Sequence, residues 1–292
     1  MEKRKIFVIG HKNPDTDSVC SAIAYAQLKN EIDTENEYIP LRAGQTNEET
    51  QYVLKQFGVN APQYVMDVKS QVKDIEIRKV DGVDRNISIK AAWKLMRDIG
   101  VVTLPITRDN KLEGLITIAD IATSYMDVHD STTLSTARTV CKNIVETLDG
   151  ALIIGDEEHV FDRGKVLVAA ANPDLMESYI RMGDIVILGN RYESQLCAIE
   201  MQAGCIVVCE GAPVSMTIKK LAVENHCTII STPHDTFTAS RLINQSVPIS
   251  FFMRTEGLIT FSTEAYTDEV RQVMAKKRHR DFPIHDEQGN YI

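Results

Sequence analysis

His11, Asp15 and Asp17 fall within one short stretch, Gly10-His11-Lys12-Asn13-Pro14-Asp15-Thr16-Asp17-Ser18. One imidazole and two carboxylates without a thiolate make a ligand set suited to Mn²⁺, Mg²⁺ or Co²⁺ rather than to a closed zinc site. Alternate residues of a tight turn held by Pro14 can face two metals. The stretch follows the apolar run Ile6-Phe7-Val8-Ile9 and precedes a helical pattern, which places it at the carboxyl end of an expected strand, where α/β folds keep their sites. Asp17 or Ser18 is the expected cap of that helix, which runs through Ala22, Ile23, Ala26 and Leu28. A cap accounts for one acid and leaves His11 and Asp15 without a role.

The elements that must position this loop read as the opening of a parallel α/β sheet. A strand is followed by the loop, by a helix from about Ser18 to Asn30, by a second strand at Tyr38-Ile39-Pro40-Leu41, and by a helix from about Asn47 to Phe57 closed by Gly58. At 292 residues the chain has length for about two domains. Its net charge of -9 argues against a nucleic-acid backbone as main partner, although a bound metal inverts the local field for small anions. No apolar run reaches membrane-spanning length, and the residues before His11 are too few for a signal-peptide core. The six cysteines are scattered through apparent strands and helices, so reduced thiols in the cytoplasm are expected. Cys205, Cys209 and His226-Cys227 have apolar neighbours in Ile206, Val207 and Val208 and read as buried structural thiols.

Further along, one pattern occurs twice. Ile87-Ser88 leads into a helix with Ile89, Ala92, Trp93, Met96 and Ile99 on one face and Gly100 at its end. Val101 to Ile106, a turn at Asp109-Asn110, a strand at Leu115-Ile116 and a helix from about Ala119 complete the unit. Near the C-terminus, Thr267 opens a helix bearing Val270, Val273 and Met274, followed by Asp281-Phe282-Pro283-Ile284 and a turn at Asp286 to Gly289. The copies are about 178 residues apart, too distant for a solenoid, so two copies of one module must meet across an insertion. Within that insertion the apolar runs Ala151–Ile154, Val166–Ala170, Ile185–Leu188, Ile206–Val208 and Thr228–Ile230 alternate with helical patterns, which predicts βαβ units and a parallel sheet. Pro233-His234-Asp235-Thr236 follows a strand and is read as a turn and cap rather than a second metal loop.

His11 to Ser18 with Cys20-Ser21-Ala22-Ile23-Ala24-Tyr25, and later Arg42 to Asn47 and Glu49 to Leu54, resemble the opening of the family II inorganic pyrophosphatases of the DHH phosphoesterase superfamily. The repeated units resemble CBS modules, and Phe161-Asp162-Arg163-Gly164-Lys165-Val166 with Gly189-Asn190-Arg191 and His234 to Thr238 resembles the DRTGG domain that splits the CBS pair in one subgroup. The resemblance implies an α/β fold: residues 1–66 as the N-terminal part of a parallel-sheet DHH domain, 67–129 as a first CBS module, 130–250 as an α/β DRTGG domain, and 251–292 as a second, unfinished CBS module. It implies hydrolysis of diphosphate to two phosphates with Mn²⁺, Co²⁺ or Mg²⁺ in a two-metal site, His11 and Asp15 on one metal and Asp17 on the other.

It also implies AMP, ADP or ATP as regulators bound between the CBS modules. Thr117 and the helix N-terminus would hold phosphate and Asp120 the ribose hydroxyls. Lys276, Arg278, His279 and Arg280, in the basic run from Lys276 to Arg280, would meet phosphate charge. A homodimer through the CBS and DRTGG regions is expected, with apolar surface along Phe282 and Ile284 left uncovered, and with neither nucleic acid nor membrane as partner. The family's downstream Asp-His-His element does not occur in these residues, so the chain carries only part of the catalytic ligand set. A purely nucleotide-sensing module and a DHH-type phosphodiesterase are the alternatives.

Overall fold

The computed structural model describes residues 3–126, 130–277 and 281–292. They form two compact units, one running to Ile75 and including Tyr266–Glu269, the other made of Glu76–Ala265 and Val270–Ile292.

In the first unit, β1 (Arg4–Ile9) pairs in parallel with β2 (Asn36–Arg42), from Arg4 opposite Asn36 to Ile9 opposite Leu41, and β2 pairs with the short β3 (Gln63–Tyr64). The β1–β2 crossover is α1 (Thr16–Ile32), which buries Ser18, Val19, Ala22 and Ala26 at helical spacing. Asp15, rather than Asp17 or Ser18, is its cap: the Asp15 carboxylate accepts from the Ser18 N–H at 2.9 Å. The second helix, α2 (Glu48–Gln56), is capped by Asn47, and Thr50 inside it reaches Thr16 through a hydroxyl pair at 3.1 Å.

The second unit begins with the first copy of the repeat. Ser88 caps α3 (Ile89–Ile99), which ends on Gly100 in the left-handed conformation at φ 67°. Hairpin β4 (Thr103–Arg108) and β5 (Lys111–Thr117) turns through Asp109 and Asn110, both at positive φ as a tight two-residue connection requires, and α4 (Ile118–Met126) follows. The second copy follows the same register 178 positions on: α11 (Thr267–Lys277) matches α3 residue for residue, and Thr103 approaches its counterpart Asp281 at 3.5 Å. A parallel bridge between Val83 and Ile106 in the first copy becomes β13 (Phe261–Ser262) paired with β14 (Ile284–His285) in the second. Phe282 and Ile284 are half-buried rather than uncovered, because the Phe282 ring packs edge-on against Phe261 at 5.3 Å.

Between the copies, α5 (Thr133–Thr136), β6 (Thr139–Val140), α6 (Cys141–Thr147), β7 (Ala151–Ile154) and β8 (Val160–Phe161) lead into β9 (Val166–Val168), α7 (Pro173–Tyr179), β10 (Ile185–Leu188), α8 (Tyr192–Glu200), β11 (Cys205–Val208), α9 (Met216–Glu224), β12 (Thr228–Ser231) and α10 (Thr236–Leu242). The sheet order is β7-β12-β11-β10-β9. Four strands run parallel as the alternating pattern predicts, but β7 is antiparallel to β12. Four apolar residues carry no direction of their own, and the strand is followed by Gly155 at φ 123°. Both sheet faces are covered. Ile185, Ile187, Cys205 and Val207 join a core that also holds Met96, Leu104 and Ile116 of the first copy. Their neighbours Val186, Leu188, Ile206 and Val208 face a second core with Met176 and Ile218.

Candidate metal loop and nucleotide cleft

The loop at the end of β1 is built by close backbone approach. A side chain at Gly44 would place its Cβ 2.5 Å from Pro14 Cδ and 2.7 Å from the Lys12 carbonyl, so glycine lets the chain after β2 lie against the loop. Arg42 ties that chain down by donating to the Gly44 and Pro62 carbonyls. Pro14 is buried, while His11 and Asp15 stand exposed beside it with Nε2 and Oδ1 3.3 Å apart. The Ser18 N–H, with the His11 imidazole adding to it, holds the Asp15 carboxyl below its usual range. Asp17 lies in the first turn of α1 and accepts from the Ser21 hydroxyl at 3.4 Å. His11 and Asp15 thus converge and Asp17 does not join them. Among the described residues no three His, Cys, Asp or Glu side chains form a group that could hold a metal. An imidazole nitrogen and a carboxylate oxygen already in contact, both open to solvent, fit two positions on a hard divalent ion.

In the second unit a cavity of about 360 Å³ opens between the two repeat copies. Val80, Val101 and Thr103 line it from the first copy, and Asp281, Phe282 and Tyr291 from the second. Tyr291 fixes the junction, donating its hydroxyl to the Val80 carbonyl at 2.8 Å and its N–H to the Asn110 carbonyl at 2.7 Å. Arg78, also on the wall, donates to the carbonyls of Ile99 and Gly100 at the negative end of α3.

Thr117 stands opposite Thr103 in the β4–β5 ladder. Neither Thr117 nor Asp120 lines the cavity. The Asp120 carboxylate is engaged on both oxygens. Oδ2 accepts from the Thr117 N–H at 2.8 Å and hydroxyl at 2.7 Å, and Oδ1 accepts from Arg254 Nε at 2.9 Å and Nη2 at 2.6 Å. Lys276 is exposed in the last turn of α11, and Arg278, His279 and Arg280 lie outside the described residues.

The sequence reading missed Arg254, Arg78 and Tyr291. Arg254 meets Asp120 across 134 positions, and no local pattern announces such a pair. His234 pairs with Asp149 at 3.0 Å and Asp235 caps α10 through the Thr238 N–H, which are structural roles. Cys205, Cys209 and Cys227 are free and buried.

Known proteins resemble this chain in sequence and in fold. The model of the DHH family, N-terminal domain, matches residues 5–155, and that of the DRTGG domain matches 143–246. The chain belongs to the DHH family. It is 40% identical to the cobalt-dependent inorganic pyrophosphatase of Clostridium perfringens (strain 13 / Type A), over 99% of this chain and 53% of that protein. A probable manganese-dependent inorganic pyrophosphatase of Thermotoga maritima is 30% identical over 98% of this chain and 52% of its own length. This DHH-family chain therefore spans about half the length of the curated relatives it matches. The crystal structure of the CBS and DRTGG domains of the regulatory region of Clostridium perfringens pyrophosphatase, complexed with its activator diadenosine tetraphosphate, superposes with TM-score 0.73 at 36% identity, over 77% of this chain and 98% of that one. The second unit accordingly has the CBS and DRTGG fold. No helix among the described residues is long and apolar enough to cross a membrane.

Proposed function

We propose that this chain supplies a metal-binding loop and the nucleotide-responsive region of a manganese- or cobalt-dependent inorganic pyrophosphatase. The observation that carries the reading is the approach of His11 to Asp15 at 3.3 Å on a DHH-family loop, in a chain with 40% identity throughout to a cobalt-dependent pyrophosphatase. When bound, divalent ions would activate water and neutralise phosphoryl charge. The residues of this chain do the rest: His11 and Asp15 hold one ion, Asp17 serves the other, and Gly44 and Pro14 keep the loop in shape. An adenine nucleotide binds in the second unit at the start of α4, outside the lining of the 360 Å³ cavity, with Thr117 toward phosphate, Asp120 toward ribose and Lys276, with the basic residues after it, meeting phosphate charge. Two copies pair through the CBS and DRTGG regions. Six cysteines, all free, favour a reducing compartment, the cytoplasm.

Calorimetric titrations test both halves. Mn²⁺ or Co²⁺ should bind wild type and be lost in Asp15→Ala, and diphosphate should bind only with the metal present. AMP, ADP and ATP should bind without metal, with Asp120→Asn weakening them by about ten- to a hundredfold. Metal binding indifferent to Asp15, or no response to any adenine nucleotide, would sink the corresponding half.

A further inference from the structure

We infer that Arg254 is a specificity-determining residue for ribose at the start of α4, an internal competitor that occupies Oδ1 of Asp120 until a cis-diol displaces it. The inference rests on the reading of Asp120 as the ribose acceptor and goes beyond it.

Three observations carry it. First, the Asp120 carboxylate is saturated from two sides that differ in kind. Thr117 on Oδ2 is local, three positions away, and its N–H belongs to the start of the same helix; Arg254 on Oδ1 arrives from the strand-like segment before the second copy. Second, the backbone of Arg254 is fixed independently of its side chain. It exchanges both bonds with Leu115, N–H to carbonyl at 2.9 Å and 3.0 Å in return, and Gly114 admits this contact because a Cβ there would sit 2.8 Å from the Arg254 carbonyl. The guanidinium can therefore leave without loosening the sheet. Third, the partners differ in exposure: the Arg254 side chain is 55% exposed and that of Asp120 13%. Displaced, the cation returns to water at little cost, whereas the carboxylate stays where it is and must be given another donor.

A ribose 2′,3′-diol offers two O–H donors and can replace the two N–H donors on Oδ1 one for one. A ligand lacking the diol cannot, and would leave the guanidinium in place. Arg254 therefore filters for nucleosides with both hydroxyls, and it lowers affinity for every correct ligand by the strength of the contact it gives up.

The test uses adenosine, which carries no phosphate to complicate the guanidinium's role, with 2′,3′-dideoxyadenosine as control, titrated into the full chain and its Arg254→Met, Arg254→Lys and Asp120→Asn variants. Arg254→Met should tighten adenosine on the order of tenfold and leave the dideoxy compound unchanged. Arg254→Lys, which keeps the charge with a single donor head, should fall between. Asp120→Asn should weaken adenosine and abolish the gain from Arg254→Met in the double variant. Adenosine binding that is equal or weaker in Arg254→Met while Asp120→Asn still weakens it overturns the competitor and leaves the ribose assignment standing. A tighter fit for adenosine and the dideoxy compound alike also overturns it, since the diol would then be irrelevant. Indifference of adenosine to Asp120→Asn removes the ribose assignment itself.

Discussion

Asp15 caps α1 and, in the proposed reading, also holds a metal, and a pair of substitutions separates the two roles. Asparagine caps helices as well as aspartate does, so Asp15→Asn should leave stability nearly unchanged while weakening Mn²⁺ binding tenfold or more, whereas Asp15→Ala should lose metal and about 1 kcal/mol of stability as well. Urea denaturation beside calorimetry reads the difference. Asp149 gives a pH signature. Lys90, and after it His234, hold its carboxyl below the usual range, so its stabilising contribution is present above the unfolded carboxylate pKa and is lost as pH falls through the lowered folded value. With 57% of its side chain exposed the contribution is discounted to about half a kcal/mol. The stability gap between wild type and Asp149→Asn should therefore be present at pH 6 and vanish in strong acid. The thiols offer a third check. Burial pushes Cys141 and Cys227 up to about 12 and Cys209 up to about 11, and only Cys20 of the six is not buried. A thiol reagent at pH 8 should label Cys20 alone in the folded protein and all six after denaturation. At this scale the approach of His11 to Asp15 was legible because the two are near neighbours in sequence; the Arg254–Asp120 contact was not, because side chains that meet only after folding leave no spacing to read.

Among the elements, the helices were the most legible. The Ser88 and Gly100 signals bracket α3 as found, since capping is a local chemistry of one side chain and one backbone conformation. Sheet direction was less so, and β7 shows why: pairing partners are chosen over long separations, and the same four apolar residues serve either orientation. The Asp162-Arg163-Gly164-Lys165 stretch announced its domain without announcing its reason. Gly164 lies at φ 85°, and a Cβ there would come within 2.2 Å of the Gly183 carbonyl oxygen, so two loops at the amino end of the sheet meet backbone to backbone. Gly164→Ala should therefore cost about 2–4 kcal/mol, against about 1 kcal/mol for Gly100→Ala, whose φ of 67° is strained but whose surroundings are open. Comparable losses in the two variants, measured by urea denaturation, would show that the close approach at Gly164 relaxes freely.

For the second unit as a whole, the decisive feature is a core shared between the first repeat copy and the sheet. Met96 and Leu104 pack in one cluster with Ile187 and Val207, so neither part buries its apolar face without the other. Heating should unfold this unit in a single transition, and an adenine nucleotide at a hundred times its Kd should add about 2.7 kcal/mol to the sheet as well as to the start of α4. Scanning calorimetry with hydrogen exchange at β10 and β11 would reveal any uncoupling as a sheet that ignores the ligand. On the outer face, Trp93 at 40% and Tyr125 at 55% exposure border an apolar hollow on α3 and α4. Under the proposed pairing of two copies, wild type is expected to sediment as a dimer and a Trp93→Glu variant as a monomer. The antiparallel strand that the sequence did not foretell has a consequence for the repeat itself. Because β7 lies beside β12, the chain returns from its long excursion next to the place where it set out. Separation along the chain and separation in space are thereby uncoupled: lengthening or shortening the loops of β9 to β11 would change how far apart the repeat copies are numbered without moving either of them.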